Sequence, residues 1–133
     1  MKNKIITYKG KILAIVIKTK EVNESLNFFS PESFPLQAGI HNKPKGHKIE
    51  AHNHIPFKNI KRLESQEIFY IQNGRVKVGL YAKSKKVKEV ILGVGDLIIL
   101  NTGHDLKFLE DTKLLEVKQG PYRGRENEKR LIK

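Results

Sequence analysis

The apolar residues of this chain fall in short runs and short alternations, with no long stripe at the 3.6-residue spacing of an amphipathic helix. Residues 3–9 and 11–18 read as two strands joined at Gly10. The second, KILAIVIK, has the β-branched content of a buried strand. A polar stretch with Asn, Ser and Pro31 follows over 19–34 and reads as loop or short irregular structure. PLQAGIH at 35–41 suits another strand, and Asn42 to Gly46 is a turn cluster. From Lys48 to His54 the pattern alternates, with Ile49, Ala51 and Asn53 on one face and Glu50, His52 and His54 on the other. That is strand periodicity. Residues 55–65, with Pro56 and several lysines, read as a loop or exposed excursion.

Strands resume at Gln66 to Gln72. Asn73-Gly74 is a strong hairpin signal, so Arg75 to Ala82 is expected to pair back. Lys83 to Lys86 reads as a basic turn and Val87 to Leu92 as a strand. Gly93 to Asp96 makes a further turn, LIIL at 97–100 a buried strand, and Asn101-Thr102-Gly103-His104 a tight segment. Leu106–Leu109 and Lys113–Lys118 are expected to form a last hairpin around Glu110-Asp111. Phe69 and Phe108 read as core. Many short strands divided by turn signals predict an all-β sandwich or barrel. The length of 133 residues predicts one domain, 1–120, followed by a tail over 121–133. That tail carries Arg123, Arg125, Lys129, Arg130 and Lys133 against Glu126 and Glu128, and suits a short helix or a disordered segment.

Composition narrows the chemistry. The absence of cysteine removes disulfides, thiolate metal sites and a Cys nucleophile. The apolar run at 12–17 is too short to span a bilayer, and the basic start MKNK does not lead into a signal-peptide core. A cytoplasmic protein with no membrane partner is expected. The net charge of +12 invites a nucleic-acid reading. However, the lysines are spread along the chain and no nucleic-acid motif accompanies them, so no specific nucleic-acid partner is expected. A basic surface of this kind suits a small anionic ligand better.

Three kinds of side chain could carry chemistry. His52 and His54 lie two apart on one face of the expected strand, where two imidazoles can converge on one ion. Glu67 opens the next strand, seven residues before Gly74. His104 directly follows the bend at Gly103. Histidine and carboxylate together are donors for a divalent transition metal, with Fe, Mn, Ni and Zn all admissible.

In this arrangement the chain resembles the cupin superfamily. The first cupin motif runs from a glycine through His-x-His, a spacer and a glutamate to a glycine seven residues later. Here Gly46, five residues, His52-x-His54, Glu67 and Gly74 follow that order. The second motif runs Gly-Asp, four residues, Pro-x-Gly-x-x-His. Here Gly95-Asp96, four residues, Asn101-Thr102-Gly103 and His104 follow it. The likeness covers about 46–108 and departs from the family in three places. Twelve residues separate His54 from Glu67 where the family has three or four. Asn101 stands at the turn proline, and His104 comes two residues early, where the family histidine would fall on Leu106. A longer surface loop costs little entropy, and a two-residue shift along a strand keeps the same face.

The resemblance implies a double-stranded β-helix, or jelly-roll barrel, holding a metal through His52, His54, Glu67 and His104. By the same analogy it implies a homodimer and a small polar or anionic ligand, such as a carbohydrate or nucleotide sugar, since small cupins often accompany sugar-nucleotide and surface-polysaccharide genes. Two alternatives share that barrel. One is a metal-free sugar-nucleotide isomerase or epimerase using His52 or His54 as base, and the other is a non-catalytic ligand-binding module. Whether there is turnover is left open by the sequence.

Overall fold

The computed structural model describes residues 3–41, 43–48, 50–51, 66–119 and 132. Its regular structure is almost wholly strand, as the short apolar runs require. The chain forms β1 (Asn3–Tyr8), β2 (Lys11–Lys18), a single 3-10 turn (Thr19–Glu21), β3 (Leu26–Phe28) and β4 (Gly39–His41). After the 52–65 segment come β5 (Glu67–Asn73), β6 (Val76–Ala82), β7 (Lys85–Leu92), β8 (Asp96–Leu100), β9 (His104–Phe108) and β10 (Lys113–Lys118).

These strands build one five-stranded antiparallel sheet, in the order β1-β2-β8-β5-β10, and one three-stranded sheet, β7-β6-β9. A small β3-β4 pair accompanies them. The five-stranded sheet is covered on both faces. Ile6, Ala14, Val16, Phe69, Ile71, Ile98 and Leu100 pack against Val76, Val78, Leu80 and Leu92 of the three-stranded sheet. Ile15, Ile17, Ile68 and Ile99 face the other way, under Val22, Phe29, Phe34, Leu36, Ala38 and Ile40. Double coverage explains why β2 and β8 read as continuous apolar runs rather than alternations. Every residue from Leu13 to Ile17 is buried.

The β1-β2 hairpin forms as the sequence predicts. Its two turn residues, Lys9 and Gly10, both take positive φ, as a two-residue turn matched to strand twist requires. The expected 19–34 loop contains the 3-10 turn and β3, and the expected 35–41 strand shortens to the three residues of β4. Phe108 is 56% exposed and lies outside the core.

Two predicted hairpins do not exist. β5 pairs with β8 and β10, and β6 pairs with β7 and β9, so Asn73-Gly74 does not fold β6 back on β5. Likewise β9 pairs with β6, and β10 with β5. Each connection instead carries the chain from one sheet to the other. The two crossings run side by side: Asn73 faces Lys113 before the corner and Val76 faces Phe108 after it. The Arg75 carbonyl joins them, accepting from the Leu109 amide at 2.9 Å and the Thr112 hydroxyl at 3.2 Å. β5-β6 and β9-β10 are therefore a pair of antiparallel ribbons bent over one edge of the sandwich.

At one end of β8, Asp96 fixes the preceding turn. Its buried carboxylate accepts from the Gly93 amide at 2.8 Å and binds the Lys18 ammonium at 2.7 Å. Gly95-Asp96 is thus a structural turn. It lies at the opposite end of β8 from Leu100, whose partner on β5 is Glu67.

Candidate functional site

Alternation along β5 puts Glu67 on the face of Phe69 and Ile71, which point between the two large sheets. Alternation along β9 puts His104 on the face of Leu106, which packs into the same layer from the three-stranded sheet. The two side chains meet where the apolar filling ends. Glu67 Oε1 lies 3.7 Å from His104 Nε2, with the side chains 29% and 21% exposed. That burial weakens water screening while leaving the pair within reach of solvent. Phe69 closes the inner side, its ring edge-on to the imidazole with centroids 6.1 Å apart.

His104 Nδ1 lies 2.9 Å from the Thr102 carbonyl oxygen. A carbonyl only accepts, so Nδ1 carries the proton and Nε2 is the nitrogen turned toward Glu67. A backbone carbonyl fixing one ring nitrogen so that the other can bind a cation is the usual setting of a metal-ligating histidine. A gap of 3.7 Å between Nε2 and a carboxylate oxygen is wider than a hydrogen bond. It suits two donors facing a common cation.

The charges around Glu67 are mixed. Burial is the main influence and pushes its carboxyl pKa upward. The His104 side chain opposes that shift, Glu116 adds to it, and Lys118 opposes it. Both of the latter come from β10, where Glu116 faces Phe69 and Lys118 faces Glu67 across the ladder. Glu116 and Lys118 also approach each other, at 3.9 Å.

A polar network beneath the pair went unread in the sequence. Gln66 is 1% exposed, and its backbone amide donates to Gln119 Oε1 at 2.9 Å. Its side chain donates to Asn101 Oδ1 at 2.8 Å and accepts from the Leu36 amide at 3.1 Å. Asn101 in turn donates from Nδ2 to the Ile12 carbonyl at 2.8 Å, and its own amide donates to the Leu13 carbonyl at 3.0 Å. This explains an asparagine at the position where cupins carry a proline, since a proline would lack both donors. The only sequence signal was a Gln directly before Glu67 at the start of an apolar strand.

Of the four expected ligands, the structure brings together Glu67 and His104. His52 and His54 lie outside the described residues, as do Ile49 and Asn53 of their expected strand. Lys48, Glu50 and Ala51, which are described, belong to no strand. Among the described residues no group of three or more His, Asp or Glu is placed to hold a metal, so the His-x-His pair would have to supply the rest of such a set. Of the expected tail, residues 121–131 and 133 lie outside the described residues. Ile132 lies against Gly103, one residue before His104, so closely that a Cβ on Gly103 would come within 2.7 Å of its side chain. Among the described residues no helix is long and apolar enough to cross a membrane. Compared with protein-family models, curated proteins and solved structures, the chain matches none of them.

Proposed function

We infer that this chain is a metal-binding jelly roll of the cupin type, and that its site receives a small polar or anionic metabolite such as a carbohydrate or nucleotide sugar. The observation that carries the reading is the convergence of Glu67 and His104. They are donors from two separate sequence motifs, on strands of two facing sheets, meeting 3.7 Å apart. The bent ribbons of β5-β6 and β9-β10 support the jelly-roll part, since such ribbons shared by two sheets are how that fold is wound. The donor chemistry fits a divalent transition metal, with His52 and His54 as the remaining ligands. A bound ion there would supply Lewis-acid polarisation of an oxygen on the ligand. The chain's own residues do the positioning. Thr102 fixes the imidazole, Phe69 excludes water from the inner side, and Gln66 with Asn101 ties the ends of β5 and β8 to β2. A cytoplasmic homodimer belongs to the same reading.

The test is elemental analysis of protein purified without a polyhistidine tag. About one transition-metal ion per chain is expected, as a site of four protein ligands implies. A His52→Ala/His54→Ala variant should lose it and lose the chelator-sensitive part of its thermal stability. Metal-free wild-type protein, indistinguishable from that variant in melting temperature, overturns the reading. Stabilisation by nucleotide sugars that persists in chelator would point to the metal-free enzyme instead.

A further inference from the structure

The side of the sandwich opposite the bent ribbons is open. β1 is the edge of one sheet and β7 the edge of the other, and no ladder joins them. They do run close together: the Lys85 ammonium lies 5.9 Å from the Tyr8 ring centre. Farther along, near the Asp96 end of β8, a cleft of about 580 Å³ opens between them. Its lining includes Val16, Val90 and Leu92 as an apolar floor, with Lys4, Lys18 and Glu89 among its polar walls. That volume is in the range of small-molecule sites.

The charges at this cleft are unevenly matched. Lys18 is held by Asp96 and Glu89 is engaged by Lys86, at 2.7 and 3.5 Å. Lys4 faces Val16 across its ladder and Lys88 faces Leu80 across its own, so both lean toward the space between the sheets, one from each. Among the described residues no carboxylate pairs with either of them. Each is instead the other's near neighbour, and the Lys88 ammonium is the main cause of a Lys4 pKa below the ordinary lysine value. Two like charges brought together from separate sheets repel, and an anion between them relieves that repulsion.

We propose that this cleft is a second binding site, separate from the Glu67–His104 end, that takes the phosphate group of a small phosphorylated metabolite between Lys4 and Lys88 and lays the metabolite's carbon skeleton on Val16, Val90 and Leu92. The site does not depend on the metal reading, because the cleft lies at the other end of β8 and shares no residue with it. Lysine ammonium groups bind phosphate as point charges, without the fixed fork of arginine. Specificity therefore comes from the spacing of the two lysines and from the apolar floor, and binding weakens as salt is added.

The experiment is a titration of the full chain with inorganic pyrophosphate and, separately, with a sugar monophosphate, followed by amide chemical shifts at constant ionic strength. Saturable shifts confined to Lys4, Val16, Lys88, Val90 and Leu92 are expected. Lys4→Gln and Lys88→Gln should each weaken binding about fivefold, and the double variant about twentyfold, the size expected for exposed charge pairs. Both side chains are at the surface, so these variants should keep the wild-type melting temperature. If the monophosphate binds tighter than pyrophosphate at equal salt, the skeleton contributes. The reverse order assigns the affinity to charge alone and removes the apolar floor from the proposal. Shifts spread over lysines all around the molecule, or an unchanged affinity in the double variant, overturn the site.

Discussion

Gly74→Ala is expected to destabilise the fold by ~3 kcal/mol or more, read as a lower urea midpoint at unchanged slope. Two causes add. The residue sits at φ +92°, which a side chain disfavours by about 1–2 kcal/mol. A Cβ there would also run into the Asp111 carbonyl oxygen and into Thr112, whose Cα would lie only 2.7 Å away. These are atoms of the neighbouring crossing, so relief requires the two ribbons to separate at their corner. The obstacle is backbone, which cannot swing aside as the end of a long side chain can. Gly93→Ala is the control. It removes a glycine from the other end of β8, where a Cβ meets nothing within 4 Å. It should cost less than about 1 kcal/mol. Equal losses in the two variants would mean that loop glycines matter here only through chain entropy and that the corner carries no special load.

The same corner shows where sequence reasoning stops. Asn73-Gly74 announces a turn, and a turn is there. What the dipeptide cannot carry is the identity of the strand that β5 will pair with. That is settled by β8 and β10, which occupy both edges of β5 and leave no place for β6. The Glu110-Asp111 turn was misread for the same reason. By contrast, β2 and β8 were legible because a run such as KILAIVIK or LIIL needs cover on both faces wherever it lies. The interior arrangement of those two strands follows directly from their burial. β3 was missed because LNF has only three residues, and two of them, Leu26 and Phe28, are exposed.

The candidate site was legible in the types and spacing of its residues, less so in its geometry. His104 stands two residues before the position that the cupin pattern gives its histidine. The strand alternation that keeps it on the inner face also brings it to Glu67. The Leu80–His104 pairing with β6 decides how far along that face it lies, and this is a long-range register no local motif reports. Glu116 and Lys118 were invisible for a related reason. They belong to β10, which reaches the site only because it crosses from the other sheet.

In metal-free protein, Glu67→Gln is expected to remove part of the loss of stability on raising pH, and in the presence of metal it is expected to remove most of the stability that metal confers. The first half follows from the direction of the Glu67 shift. Its folded-state pKa is raised, chiefly by burial, above the ordinary glutamate value. Over the window between those two values the folded state holds a proton that the unfolded chain has released, so stability falls as pH rises through it. Glutamine has nothing to release. The wild-type minus variant difference should therefore decline from the ordinary glutamate pKa upward and level off once Glu67 is ionised in the folded state too, as measured by urea unfolding in chelator across that range. The second half reverses the sign. A cation between Glu67 and His104 rewards the ionised carboxylate, so wild-type protein should gain about 2.7 kcal/mol at a free metal concentration a hundred times its Kd. Loss of a direct ligand should weaken metal binding by about a hundredfold or more, leaving the variant with little gain at the same concentration. Zn(II) and Ni(II), followed by thermal shift and by direct titration, provide the readout. A metal-induced gain equal in the two proteins removes Glu67 from the ligand set. A difference flat with pH in chelator instead refutes the burial argument while leaving the metal test intact, so the two halves fail separately.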